Sequence, residues 1–149
     1  MPDRKTKVLL VEDSTGLLDT LADILRTLGM EVDTALDASA AFGLLKAGRY
    51  DVAVVDMVLP GPSGVEVIRK LKASSPDTRV IVCTAYYNSE LLVQAQALGI
   101  DRTIHKPADP AKLIALIKEL AGPSAPNENR FQTPNSRVAG SGQILNPRL

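Results

Sequence analysis

Five times between Lys7 and Ala121 the chain repeats one pattern: a short apolar run, then a longer segment with apolar residues at helical spacing. The runs are Val8-Leu9-Leu10-Val11, Glu31 to Ala35, Val52-Ala53-Val54-Val55, Val80-Ile81-Val82-Cys83 and Thr103-Ile104-His105. The first helical segment carries Leu17, Leu18, Leu21, Ile24, Leu25 and Leu28 and closes at Gly29; the second carries Ala41, Leu44 and Leu45 and stops near Gly48. The remaining three present Val65, Ile68 and Leu71, then Leu91, Leu92, Ala95 and Leu98, and last Leu113, Ile114, Leu116, Ile117 and Leu120. Apolar residues three and four apart make the buried stripe of a helix, whereas an unbroken apolar run makes a strand covered on both faces. Strict strand-helix alternation implies a parallel sheet with helices on both sides, because each helix returns the chain to the same sheet end.

Glu31 to Ala35 reads as alternating polar with apolar residues, so it belongs at an edge, and the continuously apolar first, third and fourth runs belong inside. These placements fit a flavodoxin-like, doubly wound (βα)5 α/β fold whose five-stranded parallel sheet has the order 2-1-3-4-5. A chain of 149 residues, 45% of them hydrophobic, supports one such core and not two ordinary domains. Seventeen basic residues balance seventeen acidic ones, which argues against direct DNA binding and against an anionic membrane surface. The run Val8 to Val11 is far too short for a signal peptide or a membrane span, so a cytoplasmic location is expected. Cys83 is the single cysteine, which excludes a disulfide framework, and it reads as a small buried hydrophobe. Residues 122–149 change texture: half are Gly, Pro, Ser or Asn, and Arg130, Arg137 and Arg148 outweigh Glu128. The expectation is a compact domain over 1–121 followed by a flexible tail or linker, with Phe131 and Ile144-Leu145 available for docking.

Ligands of an open parallel sheet bind beyond the carboxyl ends of its strands, where the strand order reverses. Here those ends are Glu12 and Asp13, then Asp56, then Thr84, then Lys106. One Asp at a strand end is ordinarily a turn residue or a helix cap. Four strands that each deliver a polar residue to one edge are a different matter. Three converging carboxylates repel one another unless a cation joins them, and an all-oxygen donor set favours Mg2+. A carboxylate can also attack phosphorus to give an aspartyl phosphate, a reaction that needs mostly positioning and charge neutralisation. His105, the only histidine, has no partner ligands nearby in the sequence and reads as structural.

The segments Val8-Leu9-Leu10-Val11-Glu12-Asp13-Ser14, Asp56-Met57-Val58-Leu59-Pro60 with Gly64, Thr84-Ala85 and Lys106-Pro107, in this order and spacing, resemble the response regulator receiver domains of bacterial two-component systems. The resemblance spans about residues 6–121. It implies that Asp56 is the phosphoacceptor, and that Asp13 binds Mg2+ with help from Glu12 and from the Val58 backbone carbonyl. It further implies that Thr84 contacts the phosphoryl group, that Lys106 pairs with a phosphoryl oxygen, and that the Lys106–Pro107 bond is cis. The donor would be a sensor histidine kinase or a histidine phosphotransfer protein, and the output a switched contact with a downstream protein or a homodimer. Such a module is not an enzyme acting on an external substrate.

One position departs from what the resemblance implies, and two variable neighbours of the site bear on it. Thr103 stands where the family usually has a rotating aromatic, so Tyr86 and Tyr87 become candidate substitutes. Val58 and Tyr86, beside the site, carry no acidic or amide group to orient an attacking water, so a long-lived phosphorylated state is expected. Three other functions bear on the same residues. An aspartyl phosphatase would need a second Asp where Val58 stands. A phosphorylation-independent scaffold is disfavoured by the intact Asp13, Asp56, Thr84 and Lys106. The receiver piece of a longer regulator stays open.

Overall fold

The computed structural model describes residues 5–85 and 89–122. Its elements alternate without exception: β1 (Lys7–Val11), α1 (Thr15–Thr27), β2 (Glu31–Ala35), α2 (Ala38–Ala47), β3 (Val52–Asp56), α3 (Gly64–Ser74), β4 (Arg79–Thr84), α4 (Glu90–Leu98), β5 (Arg102–His105) and α5 (Pro110–Ala121). All strand pairs are parallel and the order is β2-β1-β3-β4-β5, as the periodicity requires. β2 covers Glu31–Ala35, as expected, and lies at an edge. Lys7, Arg79 and Arg102 each extend a strand by one residue at its amino end. There the ladder continues through main-chain bonds such as Asp51 N–H to the Lys7 carbonyl at 2.8 Å.

The sheet divides the core into two apolar layers. Leu9, Val11, Ala53, Val55, Val80 and Val82 face α2, α3 and α4, while Val8, Leu10, Val52, Val54, Ile81 and Cys83 face α1 and α5. Alternate residues of each central strand serve opposite layers, which is why those strands are apolar throughout. α2, α3, α4 and α5 start at residues whose side chains accept an amide hydrogen bond: Asp37, Ser63, Ser89 and Asp109. α1 differs. Its capping position is Ser14, yet the Ser14 hydroxyl caps nothing. Its amide instead donates to Glu12 Oε2 at 3.2 Å, so the helix start is tied to a strand-end carboxylate. No described helix is long and apolar enough to cross a membrane. The tail expected over 122–149 lies, apart from Gly122, outside the described residues, as do Tyr86 and Tyr87.

Fully buried Ile117 sits in the layer under α5, while Val93 on α4 is 60% exposed. Ile117→Ala should therefore cost about 3 kcal/mol in urea unfolding through lost transfer energy and a residual cavity. Val93→Ala should stay within about 0.5 kcal/mol.

Candidate functional site

The strand register decides which side chains meet. β1 and β3 are adjacent, with Val11 opposite Val55, so Glu12 and Asp56 emerge side by side. Asp56 pairs with Cys83 on β4, and Thr84 pairs with His105 on β5, which brings Lys106 around the same edge. The Lys106 amide donates to the Thr84 carbonyl at 2.8 Å, and the Lys106–Pro107 bond is cis. From there the ammonium reaches Asp56 Oδ2 at 2.8 Å and Glu12 Oε1 at 3.1 Å. The other Asp56 oxygen, Oδ1, accepts the Val58 amide at 3.2 Å. Asp56 is thus held on both oxygens, and its carboxyl plane is fixed before any ligand arrives.

Glu12, Asp13 and Asp56 each offer a carboxylate oxygen, and these oxygens lie within 4.8 Å of one another. Glu12, Asp56 and Thr84 are buried and Asp13 is exposed, so the cluster meets solvent at Asp13. The Lys106 ammonium pairs with two of the three carboxylates, Glu12 and Asp56. Burial pushes the Glu12 carboxyl above its usual range; the Lys106 hydrogen bond opposes this and the neighbouring Asp56 charge adds to it. Burial pulls the Lys106 ammonium down, but the hydrogen bonds to Asp56 and Glu12 outweigh it and hold the lysine above its ordinary value. Cys83, beneath the site, has its thiol pushed up to about 12 by burial, as suits a packing residue.

All the residues expected at this edge are brought to it: Glu12, Asp13, Asp56 and Lys106 into one cluster, with Thr84 buried at the end of β4 beside them. Val58 lies two residues beyond Asp56 with its side chain 53% exposed. Thr103, opposite Val82 in the middle of β5, is half-buried. His105 is exposed and is not a member of the carboxylate cluster. Sequence reasoning missed the Val58 amide as a donor to Asp56 and the Ser14 amide as a donor to Glu12. A signal was present for Asp56, since an Asp side chain that accepts the amide two residues on is a common local turn; the longer Glu12 side chain carries no such habit.

A family profile described as the response regulator receiver domain matches residues 8–118. The chain belongs to this family. Among curated relatives, the sensory transduction protein RegX3 of Mycolicibacterium smegmatis is 35% identical over 124 residues, covering 83% of this chain and 54% of that protein. Among solved structures, a CheY-like receiver domain protein from Methanospirillum hungatei superposes with a TM-score of 0.75 at 30% identity, covering 79% of this chain and 94% of that one. A Burkholderia pseudomallei response regulator, solved with a phosphorylated aspartic acid, calcium ion and citrate, has a TM-score of 0.70 at 30% identity over 78% of this chain and 69% of that one. This receiver chain spans about half the length, or less, of the curated relatives it matches.

The charge imbalance in this receiver site has a measurable consequence. Removing the exposed Asp13 carboxylate should relieve repulsion among the three acids, so Asp13→Ala should raise the urea midpoint in EDTA. The gain should be about 1 kcal/mol, kept small by solvent screening. A lowered midpoint would mean instead that Asp13 serves chiefly the amino end of α1.

Proposed function

We propose that Asp56 is the phosphoacceptor of this receiver domain, charged by a phosphohistidine on a sensor histidine kinase or a histidine phosphotransfer protein. One observation carries the reading. A buried carboxylate at the end of a central strand is oriented on both oxygens, by Lys106 and by the Val58 amide, beside two further carboxylates. The donor set suits a hard divalent cation: its side-chain ligands are carboxylate oxygens, their charge exceeds what Lys106 neutralises, and Asp13 leaves the cluster open to water. Glu12, Asp13, Asp56 and the Val58 backbone carbonyl would hold Mg2+ there. Bound Mg2+ supplies charge neutralisation for the phosphoryl oxygens during transfer.

A carboxylate oxygen of Asp56 bonds to phosphorus as the phosphorus–nitrogen bond of the phosphohistidine breaks, and the imidazole leaves with that electron pair. The product is an acyl phosphate on Asp56. Lys106, already at the carboxylate, pairs with a phosphoryl oxygen, and the Thr84 hydroxyl contacts another. Charging the site in this way shifts a conformational equilibrium toward a form whose β4-α4-β5 face binds a downstream protein or a second copy. Residues 1–121 form the receiver unit and the segment from 122 onward a tail or linker. The greater length of the curated relatives favours a second reading alongside this one, in which the chain is the receiver portion of a longer regulator.

Intact mass after incubation with acetyl phosphate and Mg2+ should show one added phosphoryl group, absent with EDTA and absent in Asp56→Ala. An unmodified wild-type chain would overturn small-molecule phosphorylation of this site, and the same null with a panel of histidine kinases would overturn the reading. The Val58 side chain beside the acyl phosphate offers no group to orient an attacking water. Val58→Asn should accordingly shorten the lifetime of the phosphorylated protein several-fold, followed as loss of the added mass over time.

A further inference from the structure

α3 begins with Gly64, capped by the Ser63 hydroxyl, which accepts the Val65 amide at 3.2 Å. The Gly64 amide donates to the Met57 carbonyl at 3.0 Å, so the first turn of the helix is bonded to the segment just past Asp56. Gly64 is buried, and a Cβ built on it would fall on the carbonyl oxygen of Asp56. The same Cβ would lie 2.9 Å from Met57 Cε and 3.0 Å from the Asp56 carbonyl carbon. Gly64 is not one of the glycines with positive φ, which are Gly29, Gly61, Gly99 and Gly122. Its backbone conformation is therefore open to other residues, and what demands glycine here is close approach alone. Gly43, in α2, has nothing within 4 Å of a built Cβ.

We propose that Gly64 is a positioning residue for the Asp56 site: it lets α3 lie directly on the Asp56 main chain and so sets where Asp56, Met57 and Val58 stand. This rests on the reading of Asp56 as phosphoacceptor. Any side chain at 64 must push α3 and the Asp56 carbonyl apart by about 1 Å, and to the extent that Asp56 moves, a misplacement of that size can cost a phosphoryl-transfer site one to two orders of magnitude. Asp56 Oδ1 is bonded to the Val58 amide, so a shift of this segment moves the carboxylate and the Val58 carbonyl together.

The experiment compares wild type, Gly64→Ala, Gly43→Ala and Leu71→Ala; the last removes a fully buried α3 side chain away from the site and serves as a stability control. Phosphorylation by acetyl phosphate is followed against Mg2+ concentration and normalised to folded protein. Backbone amide spectra of residues 56–58 are recorded without metal. Gly64→Ala should raise the Mg2+ half-saturation and lower the saturating rate at least about tenfold, with altered 56–58 amides in metal-free protein. Gly43→Ala should match wild type in rate, and Leu71→Ala should lose stability without either change. Wild-type rate and half-saturation in folded Gly64→Ala would overturn the proposal, as would equal losses in Leu71→Ala. If Gly64→Ala is unfolded in buffer, the measurements are repeated in trimethylamine N-oxide, which favours the compact state. Failure to fold even there overturns the proposal, making Gly64 a requirement of folding and not of positioning. No modification of wild type would instead count against Asp56 as acceptor, an outcome separate from any effect at residue 64.

Discussion

The Lys106 ammonium, 2.8 Å from Asp56 and 3.1 Å from Glu12, ties together the ends of β1, β3 and β5. Its partners lie 50 and 94 residues away in sequence, so only the completed sheet can bring them together. The contact also explains why the buried acids are tolerated at this edge. Leaving a buried carboxylate unpaired is strongly destabilising, and one cation shared by two acids offsets part of that cost. It does not offset all of it, because Asp13 adds a third carboxylate within reach. The two apolar layers below supply the rigidity that holds this arrangement in place.

The fold was legible because a parallel sheet writes its topology into hydropathy. Burial on both faces makes the centres of β1, β3 and β4 apolar, whereas β2, at the edge, mixes polar residues with Val32 buried in one layer and Ala35 in the other, so its position was legible although its faces do not alternate as expected. Of the site, the membership was legible, since strand ends in such a sheet share one edge. The contacts were less so. Periodicity states which end of a strand a residue occupies, but not that the Val58 amide turns back to Asp56, nor that Lys106 divides itself between two acids. The role of Gly64 was hidden for a similar reason. Its neighbour is a main-chain atom of Asp56, and main-chain approach leaves no trace in side-chain pattern.

Thr103 is where a local departure from the family's usual residue meets an otherwise regular frame. It sits in the middle of β5 opposite Val82, with a side chain too short to sweep between two pockets as a ring would. The residues around it are held: Arg102 pairs with Glu119 on α5 at 2.7 Å, and Asp101 pairs with Arg79 at the start of β4 at 3.2 Å. The Asp101 carboxylate also accepts the Val80 amide at 2.8 Å. These ties anchor the amino end of β5, the end away from the acidic cluster. The carboxyl end is tied to the site instead: Lys106 shares a main-chain bond with Thr84 and its ammonium reaches Asp56 and Glu12. A rotating aromatic at position 103 is therefore not available to this chain.

Local preference and global fold agree along most of the chain and conflict at one corner. The capped helices, the apolar central strands and the polar edge strand all point to one structure. At the carboxyl edge three acids crowd one lysine, and α3 presses on the Asp56 main chain as only glycine allows. A ligand can shift a conformational equilibrium only by the difference in free energy it makes between the two states. A corner with unbalanced charge and no slack in its packing makes that difference large. Neutralising the acids, or adding a phosphoryl group to Asp56, changes the same few contacts on which β1, β3, β4 and β5 converge. On the reading of Asp56 as phosphoacceptor, a stable frame would let a small chemical change there shift the balance between two arrangements of these strands.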